Sequence, residues 1–179
     1  MPVATPPVRT PDFGDDAFRT ALGRFPTGVT IITARAPDGA PVGLTVSSFN
    51  SVSLHPPLVL WSLALKSRAL EIFETVDRYA IHVLAAGQAR IARQFAMPGV
   101  PDRFADVAWQ ANEHGTPRLL EGQAAWFECY NRSRYREGDH LILIGEVERC
   151  GHSGEMPLVF HAGGFDLTPG TPTGSSNES

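Results

Sequence analysis

GLTVSSFNSVSLHPPLVLWSL, residues 43–63, begins and ends with the composition of sheet, yet small hydroxyls keep interrupting it. Thr45, Ser47, Ser48, Ser51 and Ser53 are five of the eleven residues from Gly43 to Ser53. Strands favour β-branched and aromatic side chains, and serine does little to support one. Counted by twos, Val42, Leu44, Val46, Val52 and Leu54 share one face of an extended segment. Gly43, Thr45, Ser47, Ser51 and Ser53 take the other, with Phe49 out of phase. The first face is expected to be core. The second is a row of small donors and acceptors beside a glycine. It suits either a solvent-facing strand or a narrow polar groove for a flat ligand, because hydroxyls both donate and accept.

Working outward, further strands are predicted over GVTIITARA (28–36), PLVLWSLAL (57–65), YAIHVLA (79–85), AAWFECYN (124–131), HLILIGEVERC (140–150) and PLVFHAG (157–163). Pro37-Asp38-Gly39 is a turn between the first of these and a return strand. Helical spacing places Phe18, Ala21, Leu22 and Phe25 on one face of 15–25. It does the same for Ala69, Ile72, Phe73 and Val76 after Ser67, and for Ile91, Ala92 and Phe95 in 88–96. Many short strands with few helices favour an antiparallel barrel over a doubly wound sheet. The Pro-rich residues 1–12 read as a disordered arm and 169–179 as a flexible tail, leaving one ordered domain over 13–168.

Composition bounds the function. With 42% hydrophobic and 19% charged residues, 179 residues suffice for a core without disulfides. A formal net charge of −4 offers no broad basic field for nucleic acid or anionic membrane. Cys129 and Cys150 lack ligand spacing and read as buried or half-buried free thiols, so no metal site is expected. No apolar run reaches signal-peptide or membrane-spanning length, which gives a cytoplasmic location as the expectation.

The chemistry starts at Lys66-Ser67-Arg68, where strand gives way to helix. Ser67 is the expected N-cap, and two cations beside free backbone N–H groups form an anion corner. A hydroxyl row next to an anion corner suggests a planar cofactor carrying phosphate. Neither Gly-x-Gly-x-x-Gly nor Gly-x-x-x-x-Gly-Lys occurs, and Gly151-His152-Ser153-Gly154 lacks the spacing of a nucleophile elbow. Paired carboxylates and His-x-x-x-His are also absent. A cofactor bringing its own reactivity makes both unnecessary. Arg132, Arg134 and Arg136 alternate before Gly138-Asp139-His140, as an exposed loop or a clamp on a dinucleotide phosphate.

PTGVTIIT (26–33), GLTVSSFNSVSLHPPLV (43–59), KSRA (66–69), QFA (94–96) and GDH (138–140) stand in the order seen in the flavin reductase-like family, which the chain resembles over almost its whole ordered length. The resemblance implies an FMN-binding split β-barrel and an NAD(P)H:flavin oxidoreductase. It implies FMN or FAD together with NADH or NADPH, a homodimer, and a monooxygenase component that receives reduced flavin. A flavoprotein electron carrier that retains its FMN is the alternative. By the same resemblance, Gly43, Leu44, Thr45, Ser47, Ser48, Ser62, Leu63 and Ala64 face the flavin ring. Ser67, Arg68 and Ala69 match the phosphate side, and Gln94 and Phe95 a further contact. His140 lies where nicotinamide docks, and Phe160, His161, Ala162 and Gly163 match a late segment that touches NAD(H). His82 stands where the family often has Asn.

Overall fold

The computed structural model describes residues 10–166. The expected tail, and the expected arm up to Arg9, lie outside these residues. Helix α1 (Asp15–Gly23) precedes β1 (Thr27–Gly28), β2 (Thr30–Arg35), β3 (Pro41–Val46), β4 (Asn50–Leu54) and β5 (Pro57–Ala64). Then come α2 (Leu70–Thr75), β6 (Arg78–Leu84), α3 (Ala89–Ala96) and a small hairpin, β7 (Trp109–Ala111) with β8 (Pro117–Leu119). Two long strands, β9 (Gln123–Glu137) and β10 (His140–His152), are followed by β11 (Val159–His161) and β12 (Gly164–Asp166).

Seven strands form one antiparallel sheet in the order β3-β2-β6-β9-β10-β5-β4. Strands β3 and β4 are consecutive in sequence, yet they occupy its opposite ends. Only Ser47, Ser48 and Phe49 connect them. That connection spans at most roughly 14 Å, whereas seven flat strands would place the end strands about 29 Å apart. The sheet must therefore curl until its ends meet. Within that connection Ser48 is fastened to β5: its Oγ donates to the Ser62 carbonyl at 3.1 Å and accepts the Ser62 N–H at 2.9 Å. One side chain thus takes the place of ladder bonds at this seam, where the pairing of β4 with β5 ends at Asn50 and Leu60. The expected fold class, mainly β with a few short helices in an antiparallel barrel, is the one observed.

The core fills both faces of the curled sheet. In β5, Val59, Trp61 and Leu63 are buried in alternation and point inward. They meet Ile32, Phe73, Tyr79, Ile81, Leu141 and Leu143. Outside the barrel wall, Ile31, Leu84, Ala92, Phe95, Phe104, Leu119 and Leu158 form a second cluster under α3. Strand β2 lies between the two clusters, which is why all of Thr30–Ala34 is buried.

Three expectations are corrected here. The strand 42–54 breaks at Ser47–Phe49, so its alternation is reset: Val52 and Leu54 are exposed, and Phe49 packs towards the core instead. Helix α1 forms but buries none of its residues. Cys129 is buried as expected, whereas Cys150 is exposed because it lies near the far end of β10.

Candidate functional site

Where the barrel splits, the outer edge of β3 and the edge of β5 beyond Leu60 carry no ladder partner among the described residues. Beside them opens a cleft of about 710 Å³, lined by Gly43 of β3, Ala64 of β5, the turn Lys66–Ala69 and the loop 98–104. That volume falls in the range of small-molecule sites. Lys66, Arg68 and Arg103 all line it, and among the described residues none of them forms an ion pair with a carboxylate. A concave site with three unpaired cations and small residues on its walls fits a ligand that carries phosphate.

The anion corner is built differently from the sequence expectation. Helix α2 begins at Leu70 and has only six residues, and its N-cap position is Ala69. Ser67 is therefore not a cap. Its Oγ instead accepts the Ala69 N–H at 3.3 Å, and its own N–H donates to the Ala64 carbonyl at 2.9 Å. The turn is thereby fixed, and the positive charge comes from side chains rather than from a helix end.

On β3, the groups expected to face a ligand have protein partners. Gly43 is buried, and a Cβ there would sit 2.6 Å from the Phe95 ring and 3.2 Å from Phe104. The close approach this glycine permits is to that aromatic pair. Thr45 Oγ1 donates to the Ala92 carbonyl at 2.7 Å, pinning α3 to the strand. Leu44 is half-buried against the inner core, Ser47 is exposed in the break, and Ser48 and Ser62 are joined across the seam. Leu63 and Phe95 are core residues, so their side chains are unavailable to a ligand. Gln94 accepts from Arg90 at 2.8 Å and donates to the carbonyls of Arg103 and Ala105, which anchors the loop.

His140 adjoins the cleft without lining it. It pairs in register with Ala64, and directly opposed residues of an antiparallel pair project to the same face. Gly138 has φ +56, as a two-residue hairpin with glycine first requires. The turn sets the His140 ring half-exposed, with Nδ1 2.6 Å from Asp139 Oδ1. That hydrogen bond holds the Asp139 carboxyl below its ordinary range, with His140's charge and, more weakly, Lys66 adding to it.

Phe160 to Gly163 lie elsewhere, on the hairpin β11–β12. Phe160 packs on Phe165, and the Ala162 N–H donates to the Gly23 carbonyl at the end of α1. The alternating arginines belong to β9 and have partners. Arg132 meets Glu146 at 2.6 Å, Arg136 Nε meets Glu74 at 3.0 Å, and Arg134 donates to the Val76 carbonyl at 2.8 Å. They lie on a strand, not in a loop. His82 is structural: Nδ1 donates to the Ile31 carbonyl while Nε2 accepts the Leu119 N–H, each at 3.1 Å. Burial pushes it down to about 4.

Arg103 was not among the expected site residues. It follows Pro98-Gly99-Val100-Pro101-Asp102, a stretch without periodicity. The available signal was a cation in a loop after the QFA motif, easily missed among fourteen arginines.

Comparison with known proteins gives a consistent picture. The family model described as "Flavin reductase like domain" matches residues 22–168. The FMN reductase (NADH) SmoA of Agrobacterium fabrum is 46% identical over 149 residues, 83% of this chain and 83% of that protein. The reductase component of the flavin-dependent trigonelline monooxygenase of Acinetobacter baylyi is 41% identical over 152 residues, 85% of this chain but 48% of that protein. The chain thus spans about half the length of some curated relatives and most of others. An NADH:FAD oxidoreductase of Streptomyces globisporus, solved in complex with NAD and FAD fragments, superposes with a TM-score of 0.81 at 36% identity. That match covers 89% of this chain and 95% of the other.

Proposed function

The chain belongs to the flavin reductase-like family, and from that premise we propose that it is an NAD(P)H-dependent flavin reductase. It moves a hydride from NADH to FMN or FAD and releases the reduced flavin to a partner monooxygenase component. The observation that carries this reading is the cleft at the barrel split, with Lys66, Arg68 and Arg103 lacking carboxylate partners. Relatives named as NADH-dependent FMN reductases and as reductase components of monooxygenases support the reaction and the partner.

When bound, a flavin supplies the two-electron acceptor for the hydride of NADH. The chain's own contribution is orientation, since the two reacting rings must be held about 3–3.5 Å apart. Lys66 and Arg68 would hold the flavin's phosphate, and the main chain around Gly43–Thr45 and Ser62–Ala64 would line its ring. Leu63 contributes through its backbone alone. His140 positions the nicotinamide from the next strand, and Asp139 fixes the imidazole orientation. The hydride itself needs no proton shuttle from the protein. Ser47, Ser48 and the segment Phe160–Gly163 belong to the same proposal at its margins, with Ser48 acting through the seam.

The homodimer is likewise proposed. Helix α1 leaves Phe18 and Leu22 in solvent, and just beyond its end Phe25 is 74% exposed. Apolar groups gathered along one helix and its end in this way suit a protein interface. The test of function is NADH oxidation with and without added FMN, FAD or riboflavin. Oxidation should require free flavin. NADH that survives with all three would remove the reductase assignment. An electron carrier would instead keep a yellow cofactor through dialysis and show no such dependence.

A further inference from the structure

A second recess lies apart from the cleft and shares no lining residue with it. It has a volume of about 440 Å³, between the end of β2, the end of α2, the start of β6 and the turn that joins β7 to β8. That volume also falls in the range of small-molecule sites. Ala36, Pro37 and Val76 give it an apolar wall.

Two opposite charges, Arg35 and Asp77, line this recess without meeting. Arg35 Nε donates to the Gly115 carbonyl at 2.7 Å, which latches the side chain across the β7–β8 turn. A guanidinium has five N–H groups, so those on its two terminal nitrogens remain. Among the described residues neither Arg35 nor Asp77 forms an ion pair. They lie too far apart to pair directly, and each stays open to a group placed between them. Arg78, next to Asp77, is committed elsewhere by two bonds to Glu148 at 2.9 and 3.0 Å. His114 Nε2 lies 3.8 Å from Glu113. Thr116 adds a third group. It is only 3% exposed, and Asn112 satisfies its backbone N–H and carbonyl, each at 2.9 Å. Its hydroxyl makes no hydrogen bond among the described residues, although the residue lines the recess. Such a hydroxyl on a nearly buried residue is uncommon in native proteins.

We propose that this recess binds a free α-amino acid, with the carboxylate on Arg35 and the Thr116 hydroxyl and the ammonium on Asp77. Each charge of the zwitterion then finds its opposite. A simple anion would be left facing Asp77, and a simple cation facing Arg35. No Phe, Tyr or Trp ring lines the recess, so it lacks the aromatic faces that hold a quaternary ammonium. A protonated amine instead has N–H groups to give to a carboxylate. The ligand's side chain rests on Ala36, Pro37 and Val76.

Amide chemical shifts of the full chain test this. L-Serine and L-valine are titrated to millimolar concentration, with isovalerate and isobutylamine as probes that keep only one of valine's charges. At least one amino acid should saturably shift the amides around Arg35, Asp77 and Thr116 while those of Ser67–Ala69 stay in place. Isovalerate and isobutylamine should bind about tenfold more weakly than valine or worse, since each lacks one charge-assisted contact. Asp77→Asn alters a side chain with no ion pair to lose, so it should melt like the parent and weaken the amino acid by a similar factor. Arg35→Gln should do the same, with its melting curve reporting any loss of the turn latch. If Arg35→Gln fails to fold, Asp77→Asn decides. Absence of shifts around the recess, or shifts confined to Ser67–Ala69, would overturn the proposal. So would isovalerate binding as tightly as valine, or Asp77→Asn binding like the parent. Either result leaves the flavin reading untouched, because the two sites share no residue.

Discussion

At Ser48 one hydroxyl fastens the link between β3 and β4 to β5. It was expected to face flavin, so Ser48→Val should have weakened binding more than stability. Its Oγ is instead both donor and acceptor to Ser62, and Val would leave that N–H and carbonyl without partners. Ser48→Val should therefore lower the denaturation midpoint by an amount equivalent to about 1–3 kcal/mol. A melt identical to the parent's would contradict the seam. The serine row pointed to the right place for an incomplete reason. Strand periodicity reports a face, but it cannot show which backbone lies opposite, and Ser62 is fourteen residues away. His82 makes a second prediction at this scale. Its folded pKa of about 4 lies below the ordinary 6.5, so the unfolded chain takes up a proton first as pH falls. The stability from neutral His82 is complete above about pH 6.5 and is lost as pH falls towards 4, by roughly 3 kcal/mol. In urea melts across this window, His82→Asn should be less stable at pH 7 and show a flatter pH slope. A parallel slope would contradict the assignment.

Among the elements, β3 carries the most consequences, because the cleft wall and the seat of α3 are the same strand. Gly43→Ala would drive a methyl group into Phe95 and Phe104, and both rings are buried and packed on each other. Overpacking of this kind costs about 1–3 kcal/mol. The variant should melt lower and also loosen loop 97–106, seen as faster amide exchange there. Unaltered stability and exchange would show that the rings can step aside. Strands β2, β5 and β6 were legible because β-branched and aromatic residues dominate them, and alternation in β5 matches its buried side. The second half of β9 was not legible. Arg132, Arg134 and Arg136 resemble a solvated loop until Glu146, Glu74 and the Val76 carbonyl are seen beside them. The start of α2 was misplaced by three residues, since Ser67 caps a turn as readily as a helix. Arg103 showed in the sequence only as a loop cation after the QFA motif, because its partners are backbone carbonyls brought near only by the fold.

At the scale of the molecule, the order of motifs along the chain carried both the barrel and its family, while the curling of the sheet follows from a three-residue link between its two ends. The proposed dimer should appear in sedimentation as a species of twice the chain mass, and Phe25→Asp should shift it towards monomer. A wild-type monomer at micromolar concentration would contradict it. The most direct test of the central claim is an anaerobic one: the protein is mixed with NADH and a large molar excess of FMN, and flavin bleaching is followed to its end. A reductase that releases its product should reduce the whole pool, one NADH consumed per FMN, with the bleached flavin passing freely through a membrane that retains the protein. Bleaching that stops at one flavin per protein chain, or does not begin, would contradict the account.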